Sequence, residues 1–307
     1  MNRLYLSCGR FALRMRMGLL LLLAAFGTAF LTACASNAAP SAKGEAHNGF
    51  DYSWAKENRY IAHALGGIDG HDYTNSREAF EENYKKGFRV FEMDLGYTSD
   101  DVLVGVHEWG HKFKKNTLGY VDPADPENDE PLSLSVFSGF KILGKYTPLT
   151  FEDMAEIMGE KEDVFLVIDG KYRDEELVRK EFTDIRDILK KRAPEAIDRI
   201  IPQIYSQEIY DCIMEIYPWK SIIYTWYMLN EDRLSPTAEA DFAISKGIKV
   251  VTMSDRVENE LVDEYLKRRG IFTYVHTIND EYVAKLLTKA GVYGFYTDEL
   301  DPDKDNT

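Results

Sequence analysis

From residue 60 onward, short runs rich in β-branched and aromatic residues alternate with longer stretches whose apolar positions recur three and four apart. The first kind reads as strand, the second as helix. Eight strand candidates result, at 60–65, 89–95 with a continuation at 102–107, 164–169, 199–205, 221–227, 249–253, 272–276 and 293–297. Helical spacing fills 77–86, 151–158, 175–191, 256–269 and 281–290. Gly87, Gly159, Gly270 and Gly291 stand where helix C-termini favour a glycine. Strand and helix in alternation predict a parallel sheet, and eight such units in about 250 residues match a (β/α)8 TIM barrel. A doubly wound open sheet is the alternative, because periodicity does not show closure. Residues 108–150, with Pro123, Pro126, Pro131 and an acidic patch, have no strand pattern of their own. They read as an insertion after the second strand unit, of the kind that covers an active site.

The first forty residues follow a different pattern. An almost wholly apolar run from Met17 to Leu31 follows an arginine-bearing segment and ends at Leu31-Thr32-Ala33-Cys34. It reads as an export signal, short for a transmembrane helix, which needs roughly 20 residues. A retained membrane anchor is the alternative. Leu31-Thr32-Ala33-Cys34 also resembles the bacterial lipobox, which implies cleavage before Cys34 and lipidation of its thiol. The expected organisation is a signal peptide over 1–33, a flexible tether and lead-in over 34–57, and one catalytic domain over 58–307. The mature product is then a lipoprotein exported to the cell surface or periplasmic side and attached to a membrane through its lipid. Cys8 leaves with the signal and Cys34 is acylated, so Cys212, among apolar neighbours, is expected to be a buried, unpaired thiol.

Composition narrows the function. With 45% hydrophobic and 29% charged residues, the 307-residue chain is an ordinary globular one. Its net charge is −15, and Arg3, Arg10, Arg14 and Arg16 all lie in the first 33 positions, where there is no acid. The remainder therefore carries 33 bases against 52 acids, a net −19. Such a surface repels phosphate backbones, so no nucleic-acid partner is expected.

In a barrel of this kind the chemistry sits on polar residues that close the apolar strand runs. His63 is near the end of the first strand, Glu92 and Asp94 near the end of the second, and His107 closes its continuation; Asp169 and Lys171 close the third. Glu92 and Asp94, two apart on a strand, share a face. Two anions buried side by side are costly unless a cation lies between them, and hard oxygen ligands suit Mg²⁺ or Ca²⁺. Asp169 adds a third oxygen donor from the neighbouring strand. The competing reading is that each carboxylate pairs with a Lys or Arg on the rim. Two flanking histidines suggest general acid–base catalysis, with the metal and Lys171 holding developing negative charge. Gln203, Tyr205, Trp226 and His276, at predicted strand ends, are candidate substrate contacts. His71 and His111 are given no role beyond lining a pocket.

These residues resemble those of the glycerophosphodiester phosphodiesterase family, part of a wider group of phosphatidylinositol-phospholipase-like barrels, over residues 61–300. Ile61-Ala62-His63 is similar to the family's opening apolar-Ala-His, and Tyr73-Thr74-Asn75-Ser76 to its Pro-Glu-Asn-Thr. Glu92-Met93-Asp94 matches Glu-x-Asp, with His107 following thirteen positions after Asp94. Asp169-Gly170-Lys171 resembles the later Glu-x-Lys, and Thr297-Asp298 the closing Thr-Asp. The resemblance implies a divalent cation on Glu92, Asp94 and Asp169, His63 and His107 as the acid–base pair, and hydrolysis of a phosphodiester at an alcohol. The family's phosphate-binding arginine after the first histidine is Ala64 here, and its third metal carboxylate is the shorter Asp169. An Ala after the histidine and an Asp-x-Lys pair also occur, in part, in sphingomyelinase D-type phospholipases of the same superfamily.

The expected substrate is a small-molecule phosphodiester. A lipid headgroup, cleaved with phospholipase C- or D-like or sphingomyelinase D-like activity, is the alternative; Trp109, Tyr224, Trp226 and Tyr227 would then line an apolar or sugar-stacking pocket. A third reading is a catalytically degenerate barrel that only binds a ligand.

Overall fold

The computed structural model describes residues 49–226, 235–254 and 260–304. Cys34, the apolar run before it and Tyr227 lie outside the described residues. The strands are β1 (Tyr60–Ala62), β2 (Val90–Tyr97), β3 (Leu103–Gly105), β4 (Phe165–Gly170), β5 (Ile200–Ile204), β6 (Ile223–Thr225), β7 (Val250–Ser254), β8 (Phe272–His276) and β9 (Gly294–Thr297). All except β3 run parallel to their neighbours, and β9 pairs with β1, which in turn pairs with β2, so the sheet closes. The molecule is an eight-stranded (β/α)8 TIM barrel, and closure removes the open-sheet alternative. The expected continuation at 102–107 is corrected: β3 turns back antiparallel along β2, with Leu95 opposite Gly105 and Tyr97 opposite Leu103. An apolar run announces a strand but not its direction.

Side chains alternate across each strand, and this parity organises the molecule. Ile61, Val90, Val167, Ile201, Ile223, Val250, Tyr274 and Tyr296 point inward and fill the lower barrel with Trp54. Trp54 belongs to the short helix α1 (Ser53–Glu57), is fully buried, and its indole N–H donates to Ser221 Oγ at 2.7 Å. The alternate residues Phe91, Met93, Leu95, Leu166, Ile168, Val251, Val275 and Phe295 join the larger cluster between sheet and helices.

The further α-helices are α2 (Arg77–Lys85), α3 (His111–Phe113), α4 (Leu134–Gly139), α5 (Phe151–Glu160), α6 (Glu175–Arg192), α7 (Gln207–Ile216), α8 (Pro236–Lys246), α9 (Glu260–Lys267) and α10 (Glu281–Ala290). None is long and apolar enough to cross a membrane. Polar side chains open them: Ser76 accepts from Ala79 N–H, Asp174 from Glu176 and Leu177, and Thr150 forms a reciprocal box with Asp153. Gly291 ends α10 in the left-handed conformation, with φ 119°, as expected. Gly159 does not end α5 but lies inside it; the helix runs to Glu160. Cys212 is buried on α7.

The insertion folds as α3, a single π-helical turn (Lys114–Leu118) and α4. It does not roof the barrel mouth as expected, since none of its residues lines the cavity there. It backs the wall: Phe113 stacks on His107 with centroids 5.6 Å apart, and Trp109 meets Phe137 edge-on. Leu118, Phe137 and Ile142 are fully buried, and that apolar face draws the segment against the side of the barrel.

Candidate active site

Continuing the inward parity upward places polar groups where the apolar layers stop. Glu92 and Gln203 follow Val90 and Ile201; His63, Asp94, Asp169, Tyr205 and His276 come at the carboxyl ends. They line a cavity of about 360 Å³ at the barrel mouth, with Tyr73, His107, Lys171, Arg173 and Thr277. A narrow recess beneath it, about 30 Å³, is bounded by His63, Glu92, Asp169, Gln203, His276 and Tyr296.

Glu92, Asp94 and Asp169 are buried, Asp94 and Asp169 pair in register on adjacent strands, and one oxygen from each of the three lies within 4.8 Å of the others. Lys171 Nζ donates to Asp94 Oδ1 at 2.6 Å and to Asp169 Oδ2. Glu92 Oε2 accepts from the backbone N–H of Ala64 at 2.6 Å, and Asp94 Oδ2 from Asn75 Nδ2 at 2.9 Å. The ion-pair reading is therefore met in part, but Glu92 Oε1 and Asp169 Oδ1 are buried with no hydrogen-bond partner among the described residues. Converging, unpaired anionic oxygens fit a hard divalent cation. Burial, with Asp94 beside it, pushes Glu92 well above the usual carboxylate range, and burial also raises Asp169. For Asp94 burial acts in the same sense, but Lys171, His107 and His63 outweigh it and hold the carboxyl down at about 2. Lys171 is raised above its ordinary value, because the three carboxylates overcome its desolvation.

The histidines flank this cluster in different states. Burial tends to lower His63, yet the hydrogen bond from Nδ1 to Asp298 Oδ1, at 2.9 Å, and the charges of Glu92, Asp298 and Asp94 carry it up to about 9. His107 is lowered, by burial first, with Asp94 opposing. Tyr73 joins them: its ring meets His63 edge-on at 4.6 Å and His107 at 4.8 Å.

Of the substrate contacts expected from the sequence, Gln203, Tyr205 and His276 reach the cavity or its recess. Gln203 accepts from Tyr296 at 2.5 Å. Burial, with His63 nearby, lowers His276 to about 4. Trp226 is a correction. Ile223 and Thr225 take the inward positions of β6, so Tyr224 and Trp226 face outward into the helix-side core and meet edge-on. Trp109 is likewise a wall residue. His71 and His111 do not line the cavity; His111 Nδ1 pairs with Asp129 at 2.6 Å.

Sequence reasoning passed over Tyr73, Asn75, Asp298, Arg173 and Tyr296 as site residues. Asp298 had a signal, the Thr-Asp that closes β9 in inward parity with Tyr296. Tyr73 and Asn75 had one in the Tyr73-Thr74-Asn75-Ser76 match, but not in strand parity, because a turn with positive φ at both, 57° and 45°, aims them.

The sequence profile of the glycerophosphoryl diester phosphodiesterase family matches residues 47–302. The chain belongs to this family. Among solved structures it is similar to a glycerophosphodiester phosphodiesterase from Parabacteroides distasonis, with TM-score 0.61 and 16% identity over 80% of this chain and 94% of that one. A phosphodiesterase from Oleispira antarctica, solved with the product sn-glycerol-3-phosphate, gives TM-score 0.62 and 16% identity over 81% and 96%. The enzyme from Thermotoga maritima gives 0.56 and 19% over 78% and 94%. No curated protein matches the chain. At these identities the likeness is one of fold, and the family match carries the chemistry. This family member is a phosphoric diester hydrolase.

Proposed function

We propose that the enzyme hydrolyses glycerophosphodiesters with His63 and His107 as proton donor and acceptor across a divalent cation, Mg²⁺ or Ca²⁺, held by Glu92, Asp94 and Asp169. The observation that carries this is the convergence of three buried carboxylates, with oxygens within 4.8 Å of one another, in a cavity lined by both histidines. Asp298, 2.9 Å from Nδ1, favours the protonated ring of His63, whereas burial favours the neutral ring of His107. His107 takes the proton of the attacking water, and His63 gives one to the leaving alcohol oxygen. When bound, the cation supplies Lewis-acid stabilisation of the phosphoryl oxygens. Lys171 bridges Asp94 and Asp169 and favours their charged forms, and Gln203, Tyr205 and His276 border the space for the substrate's alcohol parts.

The test is hydrolysis of glycerophosphocholine, glycerophosphoinositol, bis(p-nitrophenyl) phosphate, lysophospholipid and sphingomyelin, with and without EDTA. EDTA-sensitive turnover of the soluble diesters, lost in His63→Ala and Glu92→Ala, supports the reading. Turnover confined to the lipids moves the substrate to membranes, and unchanged activity in both variants rejects it.

For location we propose export and lipid anchoring at Cys34, supported by the apolar run and Leu31-Thr32-Ala33-Cys34. Radiolabelled palmitate should enter the wild-type chain and not Cys34→Ala.

A further inference from the structure

We propose that Asn279 is a positioning residue that fixes Asp298 and, through it, His63, a role that rests on the acid–base reading above. The need arises at Asp298. Its Oδ1 lies 2.9 Å from His63 Nδ1, but the terminal torsion of an aspartate is broad and roughly two-fold, so one contact does not stop the carboxylate from turning. Asn279 occupies the other oxygen, with Nδ2 donating to Asp298 Oδ2 at 2.9 Å. Its Oδ1 accepts from the backbone N–H of Asp298 at 2.8 Å and from Thr297 Oγ1 at 3.0 Å. Only one orientation of the amide satisfies this set, because a carboxylate accepts and a backbone N–H donates. The Asp298 carbonyl in turn accepts from Gly67 N–H at 3.1 Å, so side chain and backbone are both held. A Cβ at Gly67 would lie 2.6 Å from that carbonyl, and glycine alone admits the approach.

The sequence builds this clamp between two anchored points. Asn279 follows β8, where Ile278 N–H donates to the Tyr296 carbonyl at 2.9 Å, and it precedes Asp280, which caps α10 by accepting from Tyr282 and Val283. Asp298 follows β9, the strand paired with β8, and the intervening Thr297 is fully buried. The same fork recurs at β2, where Asn75 Nδ2 donates to Asp94 Oδ2 at 2.9 Å and Asn75 Oδ1 accepts from Asp94 N–H at 3.1 Å. Two aspartates of the site are thus held alike, each by an asparagine from another segment that grips a carboxylate oxygen and the backbone N–H together. Aspartate at 279 would set a second carboxylate against Asp298 Oδ2, and alanine would offer neither donor nor acceptor. A carboxylate meets Nδ1 as an N–H, which leaves Nε2 as the ring nitrogen for proton transfer. By holding Asp298, Asn279 therefore sets both the tautomer and the direction of the His63 ring.

Nitrogen NMR of the histidine rings in the full chain tests this, together with kcat and KM for bis(p-nitrophenyl) phosphate, in wild type, Asn279→Ala and Asn279→Asp. Asp298→Asn supplies the shifts of a His63 ring without its carboxylate, and His63→Gln assigns the signals. In Asn279→Ala the His63 Nδ1 shift should move toward that reference. Its kcat should fall by about 10- to 100-fold, the usual scale for a lost charged hydrogen bond, with KM little changed. Asn279→Asp keeps the acceptor for Thr297 and the Asp298 N–H but lacks the donor, so it should lose comparable activity. A wild-type Nδ1 shift and kcat in Asn279→Asp would confine Asn279 to capping the loop and overturn the proposal, and this variant decides alone should Asn279→Ala not fold. An unmoved Nδ1 shift in Asn279→Ala overturns it as well. A moved shift with wild-type kcat leaves the clamp standing and rejects His63 as the proton donor, so the two readings fail separately.

Discussion

His63 and His107 are the same residue type in one cavity, and their neighbours shift them in opposite directions. For His63, burial favours the neutral ring, but Asp298 at 2.9 Å and the nearby carboxylates win and hold it up at about 9. For His107, burial wins and the proton is lost below the ordinary value. The expected pH profile of kcat/KM is therefore a bell, its acid limb set by His107 below about 6.5 and its alkaline limb by His63 above that value. Asp298→Asn should move the alkaline limb downward and leave the acid limb in place; an unmoved alkaline limb would show that His63 is not the donor. Linkage gives a second readout. A histidine raised on folding adds stability that is complete below its unfolded pKa of about 6.5. That stability fades as pH rises through about 9, a loss that Asp298→Asn should largely remove. At this scale the gathering of His63, His107 and the carboxylates in one cavity was legible because polar side chains interrupt strands that are otherwise apolar. The aim of Tyr73 and Asn75 was not, because it depends on a left-handed turn that no residue type in the segment demands.

Elements place these residues through parity and capping. The alternation of β2 sets Val90, Glu92 and Asp94 inward and Phe91, Met93 and Leu95 outward, and one shift of register would reverse them all. The same rule decides against Trp226, which sits one position beyond inward Thr225. Strand positions were readable from their apolar runs, whereas the reversal into β3 was not, since 102–106 looks alike in either direction. Helix starts carried Ser, Thr and Asp caps, but Gly159 misled because a glycine inside a well-anchored helix costs only about 1 kcal/mol. Thr150 illustrates what a cap contributes: it accepts from Asp153 N–H at 3.0 Å, and Asp153 Oδ2 accepts from Thr150 N–H at 2.9 Å. Thr150→Ala should cost about 1 kcal/mol, a fall in Tm of roughly 2–4 °C for a domain of this size, read by thermal denaturation. The insertion acts at this scale as well. Phe113→Ala removes the ring that stacks on His107 and should lower kcat without altering metal affinity; an unchanged kcat would make that contact incidental.

Across the whole molecule, the closed barrel gathers side chains from distant parts of the sequence into one buried anionic cluster, and that convergence has an energetic consequence. Glu92, Asp94 and Asp169 come from two adjacent strands, and Lys171 supplies one charge against their three. Without a cation the conflict favours protonation: burial and the neighbouring carboxylates raise both Glu92 and Asp169. On the proposed reading, a divalent cation would remove the repulsion and bind only the folded chain, because unfolding scatters the three carboxylates, so folding and metal binding would be linked. At a free metal concentration 100 times Kd the added stability is about 2.7 kcal/mol, which corresponds to a rise in Tm of roughly 5–10 °C. Saturating Mg²⁺ or Ca²⁺ should produce a shift of that size in the wild type, and EDTA should reverse it. Glu92→Gln combined with Asp169→Asn removes two of the three charged donors while keeping their shape. This double variant should be at least as stable as the wild type in EDTA, because a burden of buried charge is gone, and should gain nothing from the metal. A double variant that loses stability in EDTA, or still responds to metal, would mean that the cluster is an ion-paired anchor of the barrel rather than a cation site.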